Sequence, residues 1–228
     1  MIGRRLFLKQ VTVLSAGLIT FAKAMKAWAK GLPSDPGGVS SGASSSNTIA
    51  LPPFEKSSPF PLEKALLERK STKSYDPNRI LTREELSRLL WATTGTNRGN
   101  GHRTIASALI KYPVDVMVAM DGGVFRYGPG DHRLVKVISE DIRSIVPMQA
   151  GFKNAAIIVL YVINKDKVPG GRIEWADIEI GSMGQNLFLE AAALGIGSCL
   201  FANINSDATI KALGLKENQV LRLAQAAG

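Results

Sequence analysis

The stretch Arg69-Lys70-Ser71-Thr72-Lys73-Ser74-Tyr75-Asp76 sets three cations and three aliphatic hydroxyls side by side. An arginine offers a planar fork of donors to a phosphate, a lysine adds a compact positive charge, and a serine hydroxyl completes the cage. Such a set can hold a phosphate or a polyhydroxyl chain. The same residues also read as a solvated basic helix end, which the helix dipole favours. Both readings follow from the residue types, and the order of the residues has to separate them.

Other chemistry-bearing residues are sparse. His102 lies in a polar loop and His132 in a turn, while Cys199, the single cysteine, sits in an apolar run and reads as a small core residue. Three such scattered residues make no zinc site, and one cysteine forms no intrachain disulfide. No metal is expected, and no acid–base pair stands out. The formal charge of +9 invites a nucleic-acid reading. However, Arg4, Arg5, Lys9, Lys23, Lys26 and Lys30 all precede residue 31, and without them 22 basic residues face 19 acidic ones. No basic run interleaved with aromatics appears, so nucleic acid is not an expected partner.

The motif must be positioned by the elements around it. Pro61-Leu-Glu-Lys-Ala-Leu-Leu-Glu-Arg69 is amphipathic and leads into it as a helix. After Pro77, Thr82-Arg83-Glu84-Glu85 forms a capping box that opens a second helix ending near Gly95. A polar loop then reaches Ser107. Three short β-branched runs, Val114 to Met120, Val124 to Tyr127 and Leu134 to Ile138, read as antiparallel strands around glycine turns. Ser139-Glu140-Asp141 reads as the cap of a short helix stopping near Pro147. Ala155 to Ile163 is a strand buried on both faces. Trp175 to Leu194 is the longest helix pattern, with Met183, Leu187, Ala191 and Leu194 as its stripe. Gly181 and Gly184 lie one turn apart on it and allow a close approach. Ser198 to Ala202 is a strand, Asn205 or Ser206 caps a helix ending at Leu213-Gly214, and Val220 to Ala226 is a last strand. These elements make an α+β domain over residues 61–228.

In its order, Arg69-Lys70-Ser71-Thr72-Lys73-Ser74-Tyr75 resembles the opening motif of the FMN-dependent nitroreductase family, Arg-(Arg/His)-Ser-x-(Arg/Lys)-x-(Phe/Tyr). Gln185-Asn186-Leu187, with the later Ala-Ala-Ala-Leu-Gly-Ile-Gly-Ser, resembles a second signature of that family. Leu81-Thr82-Arg83-Glu84-Glu85-Leu86 through Trp91-Ala92 is most similar to its SagB-type dehydrogenase branch. The resemblance runs from about Leu62 to the C-terminus.

It implies a mostly antiparallel central sheet with helices on both faces, and a homodimer holding one FMN at each end of its interface with residues of both subunits. It further implies that Arg69, Lys70, Ser71 and Lys73 neutralise the FMN phosphate and bond the ribityl chain and pyrimidine edge. Ser107 is implied as a flavin or ribityl contact, Gln185 and Asn186 as signature residues, and Phe201, Ala202 and Asn203 as backbone partners of the isoalloxazine ring. The chain departs from the pattern in Ala106, where the family loop has proline. It also has Lys165-Asp166-Lys167 in place of a Lys-Tyr pair, so azoline-oxidising chemistry does not carry over. Two functions stay open: an FMN oxidoreductase of small organic molecules, and a non-catalytic member that keeps the fold for binding or assembly.

The N-terminus reads as an export signal over residues 1–29. Arg4, Arg5 and Lys9 precede the apolar run Val11 to Ala22, and Ala27-Trp28-Ala29 is a small-x-small cleavage pattern. As a helix the run spans about 18 Å against a bilayer core of about 30 Å. Gly3-Arg4-Arg5-Leu6-Phe7-Leu8-Lys9 resembles the twin-arginine export box, a route that carries folded, cofactor-loaded cargo. A periplasmic or other extracytoplasmic location follows from that reading, with the membrane met only through the signal. Residues 30–60, rich in Gly, Pro and Ser, read as a flexible linker.

Overall fold

The computed structural model describes residues 47–228. The export segment at residues 1–29 and the linker up to residue 46 lie outside the described residues. The described chain forms β1 (Thr48–Ala50), β2 (Val114–Met120), β3 (Gly123–Gly128), β4 (Arg133–Ile138), β5 (Ile157–Asn164), β6 (Ser198–Phe201) and β7 (Gln219–Ala227). Its helices are α1 (Leu62–Glu68), α2 (Arg83–Thr94), α3 (Ile173–Ala193) and α4 (Ser206–Leu213). The strands make one sheet in the order β1-β4-β3-β2-β5-β7-β6, with every neighbouring pair antiparallel.

The central strand shows why the sheet needs two covers. Side chains alternate across a strand, and β5 is apolar at both phases. Ile157, Val159, Tyr161 and Ile163 join one core, with Leu89 and Leu90 of α2 and Ile180, Met183 and Leu187 of α3. Ile158, Leu160 and Val162 join the other, with Ile142, Val146, Phe152 and Leu213 of α4. The expected α+β architecture with helices on both faces is the one observed. The capping box also forms: Glu85 N donates to Thr82 Oγ1 at 3.1 Å, and Thr82 N donates to Glu85 Oε2 at 2.7 Å.

Three expectations need correction. The linker does not extend to residue 60, because Thr48–Ala50 pairs with β4, Leu51 is 7% exposed, and Ser87 Oγ donates to Pro52 O at 2.7 Å. A short apolar run becomes a strand once an edge is offered to it, so the ordered domain begins before Pro61. No helix follows Ser139. A single turn at Ile142 stops before Pro147, and Asp141 is occupied by Arg143, whose Nη1 also donates to Ala155 O and Ala156 O. Asn205 stands at the N-cap of α4, yet its side chain makes no capping bond.

The glycine pair of α3 divides. A Cβ on Gly184 would lie 3.2 Å from Leu200 Cδ2 and 3.3 Å from Gln225 Oε1, so the close approach is to this chain's own sheet. A Cβ on Gly181 would meet nothing within 4 Å, and that glycine faces outward.

Candidate active site

The cationic motif lies along the outer side of β6, the last strand of the sheet. Thr72 N donates to Ser198 O at 2.8 Å, and Ser71 bridges Ser198 in the parallel sense. Two features fix it there. Gly197 carries no side chain where a Cβ would lie 2.8 Å from Thr72 Cγ2. The buried hydroxyl of Tyr75 lies 3.0 Å from Thr72 O and 3.3 Å from Ala226 O, and burial pushes its pKa up, so it stays a proton donor.

Inside this edge opens a cleft of about 410 Å³. Arg69, Lys70 and Thr72 line one side, Phe188 and Ala192 of α3 another, and the turn from Gly195 to Ser198 the floor. The Arg69 guanidinium sits 5.1 Å from the Phe188 ring centroid. Arg69, Lys70 and Lys73 have no ion-pair partner among the described residues, while Glu68 is engaged by Lys64 at 3.7 Å. Two unpaired cations facing a cleft are a donor set for an anion. A planar guanidinium over an aromatic ring also suits a phosphate or a flat ligand ring.

The remaining predicted residues fall into two groups. Lys73 follows the Thr72–Ser198 contact, and a Cβ added at Gly151 would run into its carbonyl. The same loop donates Met148 N to Asn203 O at 3.2 Å, so it joins Lys73 to the segment after β6. There Phe201 is buried and stacks on Phe152 at 4.7 Å, whereas Ala202 and Asn203 are exposed. The carbonyls of both are already taken, Ala202 O by Ile204 N at 2.9 Å and Asn203 O by Met148 N.

Ser107, Gln185 and Asn186 stand apart. Asn186 Nδ2 donates to Ala92 O at 3.1 Å and Thr104 O at 3.4 Å, which pins α3 to α2 and the following loop. Gln185 is exposed on α3. Ser107 Oγ donates to Glu179 Oε1 at 2.6 Å and accepts from Tyr112 N at 2.8 Å. Glu179 precedes Ala192 by about 20 Å of helix at about 1.5 Å per residue, so Ser107 does not reach the cleft of its own chain.

Sequence reasoning missed Glu179 and Gln225. Glu179 is 3% exposed and its Oε2 has no hydrogen-bond partner. Burial raises its pKa, against the opposing pull of the Ser107 bond, the Ala108 backbone N–H and Arg103. The sign follows: a carboxyl with a raised folded-state pKa adds stability below its unfolded pKa of about 4.3, and loses it as pH rises through the folded value. In Glu179→Gln this slope disappears, so the variant gains stability relative to the parent between pH 4 and pH 8. Urea midpoints at both pH values check it; parallel slopes would mean that Glu179 is not kept from water. Gln225 is fully buried, accepts from Tyr161 Oη at 2.8 Å, and donates to Gly184 O at 3.1 Å and Ser198 Oγ at 3.0 Å. It ties β5, β7, β6 and α3 together behind the cleft.

An antiparallel sheet whose last strand is flanked by unpaired cations beside a cleft has the chemistry to receive an anionic small molecule. The chain belongs to the nitroreductase family, whose model matches residues 66–228. It is 28% identical over 187 residues to a Methanocaldococcus jannaschii protein named as a nitroreductase, covering 76% of this chain and 92% of that protein. A crystal structure of a protein of Ralstonia eutropha JMP134, also named as a nitroreductase, is similar with a TM-score of 0.73 at 29% identity, covering 86% of this chain and 98% of the other. One from Desulfovibrio desulfuricans, in complex with FMN, shares the fold with a TM-score of 0.55 at 20% identity, covering 74% of this chain and 85% of the other.

Proposed function

We propose that the chain is an exported FMN-dependent oxidoreductase that passes reducing equivalents between a donor and a small organic substrate. The observation that carries this is the placement of Arg69 and Lys70, free of ion pairs, at a cleft floored by Gly195 to Ser198. The donor set fits FMN: a guanidinium and an ammonium for the phosphate, the Thr72 hydroxyl with that of the adjacent Ser71 for the ribityl chain, and open space at Gly195 in the floor. Bound FMN supplies hydride transfer, and the protein supplies binding, orientation and electrostatics. Arg69 and Lys70 hold the anionic end in place, Phe188 closes the cleft against water on one side, and Tyr75 keeps the motif on the sheet.

A second copy of the chain completes this reading. Ile178 is 67% exposed on α3 beside the open Gly181, and Leu109 is 74% exposed on the Ser107 loop. A homodimer packed across that face covers these apolar groups and brings the Ser107 loop of one chain toward the cleft of the other. The donor is not expected to be NAD(P)H if the protein works outside the cytoplasm.

Purified through its own export route, the protein is expected to show flavin absorbance at near one FMN per chain, bleached by dithionite. A colourless protein that takes up no added FMN overturns the proposal in favour of a fold kept for binding or assembly. Export is tested separately. Replacing Arg4 and Arg5 together by lysine is expected to abolish translocation, read by fractionation, and normal export of that variant would remove the twin-arginine reading.

A further inference from the structure

A second cleft, of about 380 Å³, opens at the start of α2 between that helix, β1 and the facing ends of β2 and β5. It shares no lining residue with the cleft beside the cationic motif. Its walls are Ile49, Leu51, Leu81, Leu86, Met120 and Ile157, and Ile80 stands at the mouth, 81% exposed. The volume is within the usual range for small-molecule sites, roughly 300–1,000 Å³, and an apolar wall with a few polar groups at the rim is their common chemistry.

The rim decides what the apolar body must carry. Arg79 is committed to Glu85 at 2.6 Å. Arg143 is committed to Asp141 at 2.6 Å and to the carbonyls of Ala155 and Ala156, and Asp121 adds its charge beside it. Arg83 is different: among the described residues its side chain makes neither an ion pair nor a hydrogen bond. It also sits in the first turn of α2, where the helix dipole disfavours a cation. One anionic head beside Arg83 relieves both conditions. A second negative charge would meet Asp121.

We propose that this cleft binds an apolar monocarboxylic acid, of medium chain length or with an arene body, with its carboxylate on Arg83 and its body against Leu81, Leu86 and Met120. The single uncommitted cation selects one anionic head, which sets this ligand apart from nucleotides and dicarboxylates. The site is independent of flavin binding.

Titration calorimetry of the full chain with decanoate, below its micellar concentration, and with 2-naphthoate tests it, with decanol as the neutral comparator. At least one acid is expected to bind saturably at one per chain, and more tightly than decanol. Arg83→Ala, an exposed change, is expected to keep the parent's melting temperature and weaken that acid about ten- to a hundredfold. Met120→Trp, which fills the cleft, is expected to abolish binding. Should that variant not fold, Ile80→Asp at the exposed mouth is expected to weaken it by setting a like charge beside the acid. The proposal is overturned if neither acid saturates at one per chain, if decanol binds as tightly as decanoate, or if Arg83→Ala retains the parent's affinity.

Discussion

Gly184→Leu is expected to lower stability by at least about 4 kcal/mol, with a sharp fall in soluble yield. A leucine there drives a branched side chain into Leu200 and into the Gln225 amide, both already about 3.2–3.3 Å from an ideal Cβ. Overpacking a close-packed core costs about 1–3 kcal/mol. The displaced Gln225 would also leave buried partners on Tyr161, Gly184 and Ser198 unsatisfied, at about 1–3 kcal/mol each. Domains are stable by only about 5–15 kcal/mol, so the sum is a large fraction of the whole. Soluble yield and urea unfolding read it directly. Gly181→Leu is the control: it has open space, keeps the fold and gains up to about 1 kcal/mol of helix propensity. If a second copy packs across that face, this control alone becomes monomeric. A Gly184→Leu protein that unfolds at the parent's urea midpoint would mean that the spacing of α3 from the sheet is not set at this residue.

The two glycines show what the sequence could and could not convey. Their spacing marked a close approach on one helix, but i and i+3 lie at different angles on a packed helix. Only the sheet reveals that Gly184 faces β6 and β7 while Gly181 faces out. Elements written in local pattern were legible for the same reason. The Thr82–Glu85 capping box, the glycine turn between β2 and β3 and the β-branched run of β5 each carry their instruction within a few residues. The turn after Ser139 was not legible, because Arg143 is fixed by carbonyls of Ala155 and Ala156, more than ten residues on. Nor was β1, three residues long, which is defined by its partner β4.

At the site the same division holds. The cationic motif was legible because it is contiguous, and a donor set written in sequence order stays together when it lies along one strand. Ser107 lies in a loop that α3 holds far from the cleft, through a carboxylate that reads from sequence as helix surface. Gln225 was hidden for a different reason. Gln225 shares the phase of the apolar Leu223 two residues before it, yet a glutamine reads by type as solvent-facing, and only the helix laid over that face shows it as a buried junction.

Arg69→Ala is expected to reduce FMN affinity far more than it reduces stability. Losing one charge-assisted contact to an anion costs about 1.5–3 kcal/mol, or roughly ten- to more than a hundredfold in Kd. The structure adds a competing structural role, because the guanidinium lies over Phe188 at 5.1 Å. At a partly exposed position that contact contributes only about 0.5–1 kcal/mol, so the melting temperature falls modestly. Arg69→Lys separates the two roles further. A lysine restores the charge but not the planar fork, and is expected to recover only part of the affinity. Titration of apoprotein with FMN by fluorescence quenching, beside melting of the same apoprotein, reads both quantities. An unchanged Kd in Arg69→Ala would take this residue out of the site. An affinity and a melting temperature that fall together, with Arg69→Lys restoring neither, would make Arg69 a residue that packs on α3 through Phe188, and the flavin site would have to be sought elsewhere along β6.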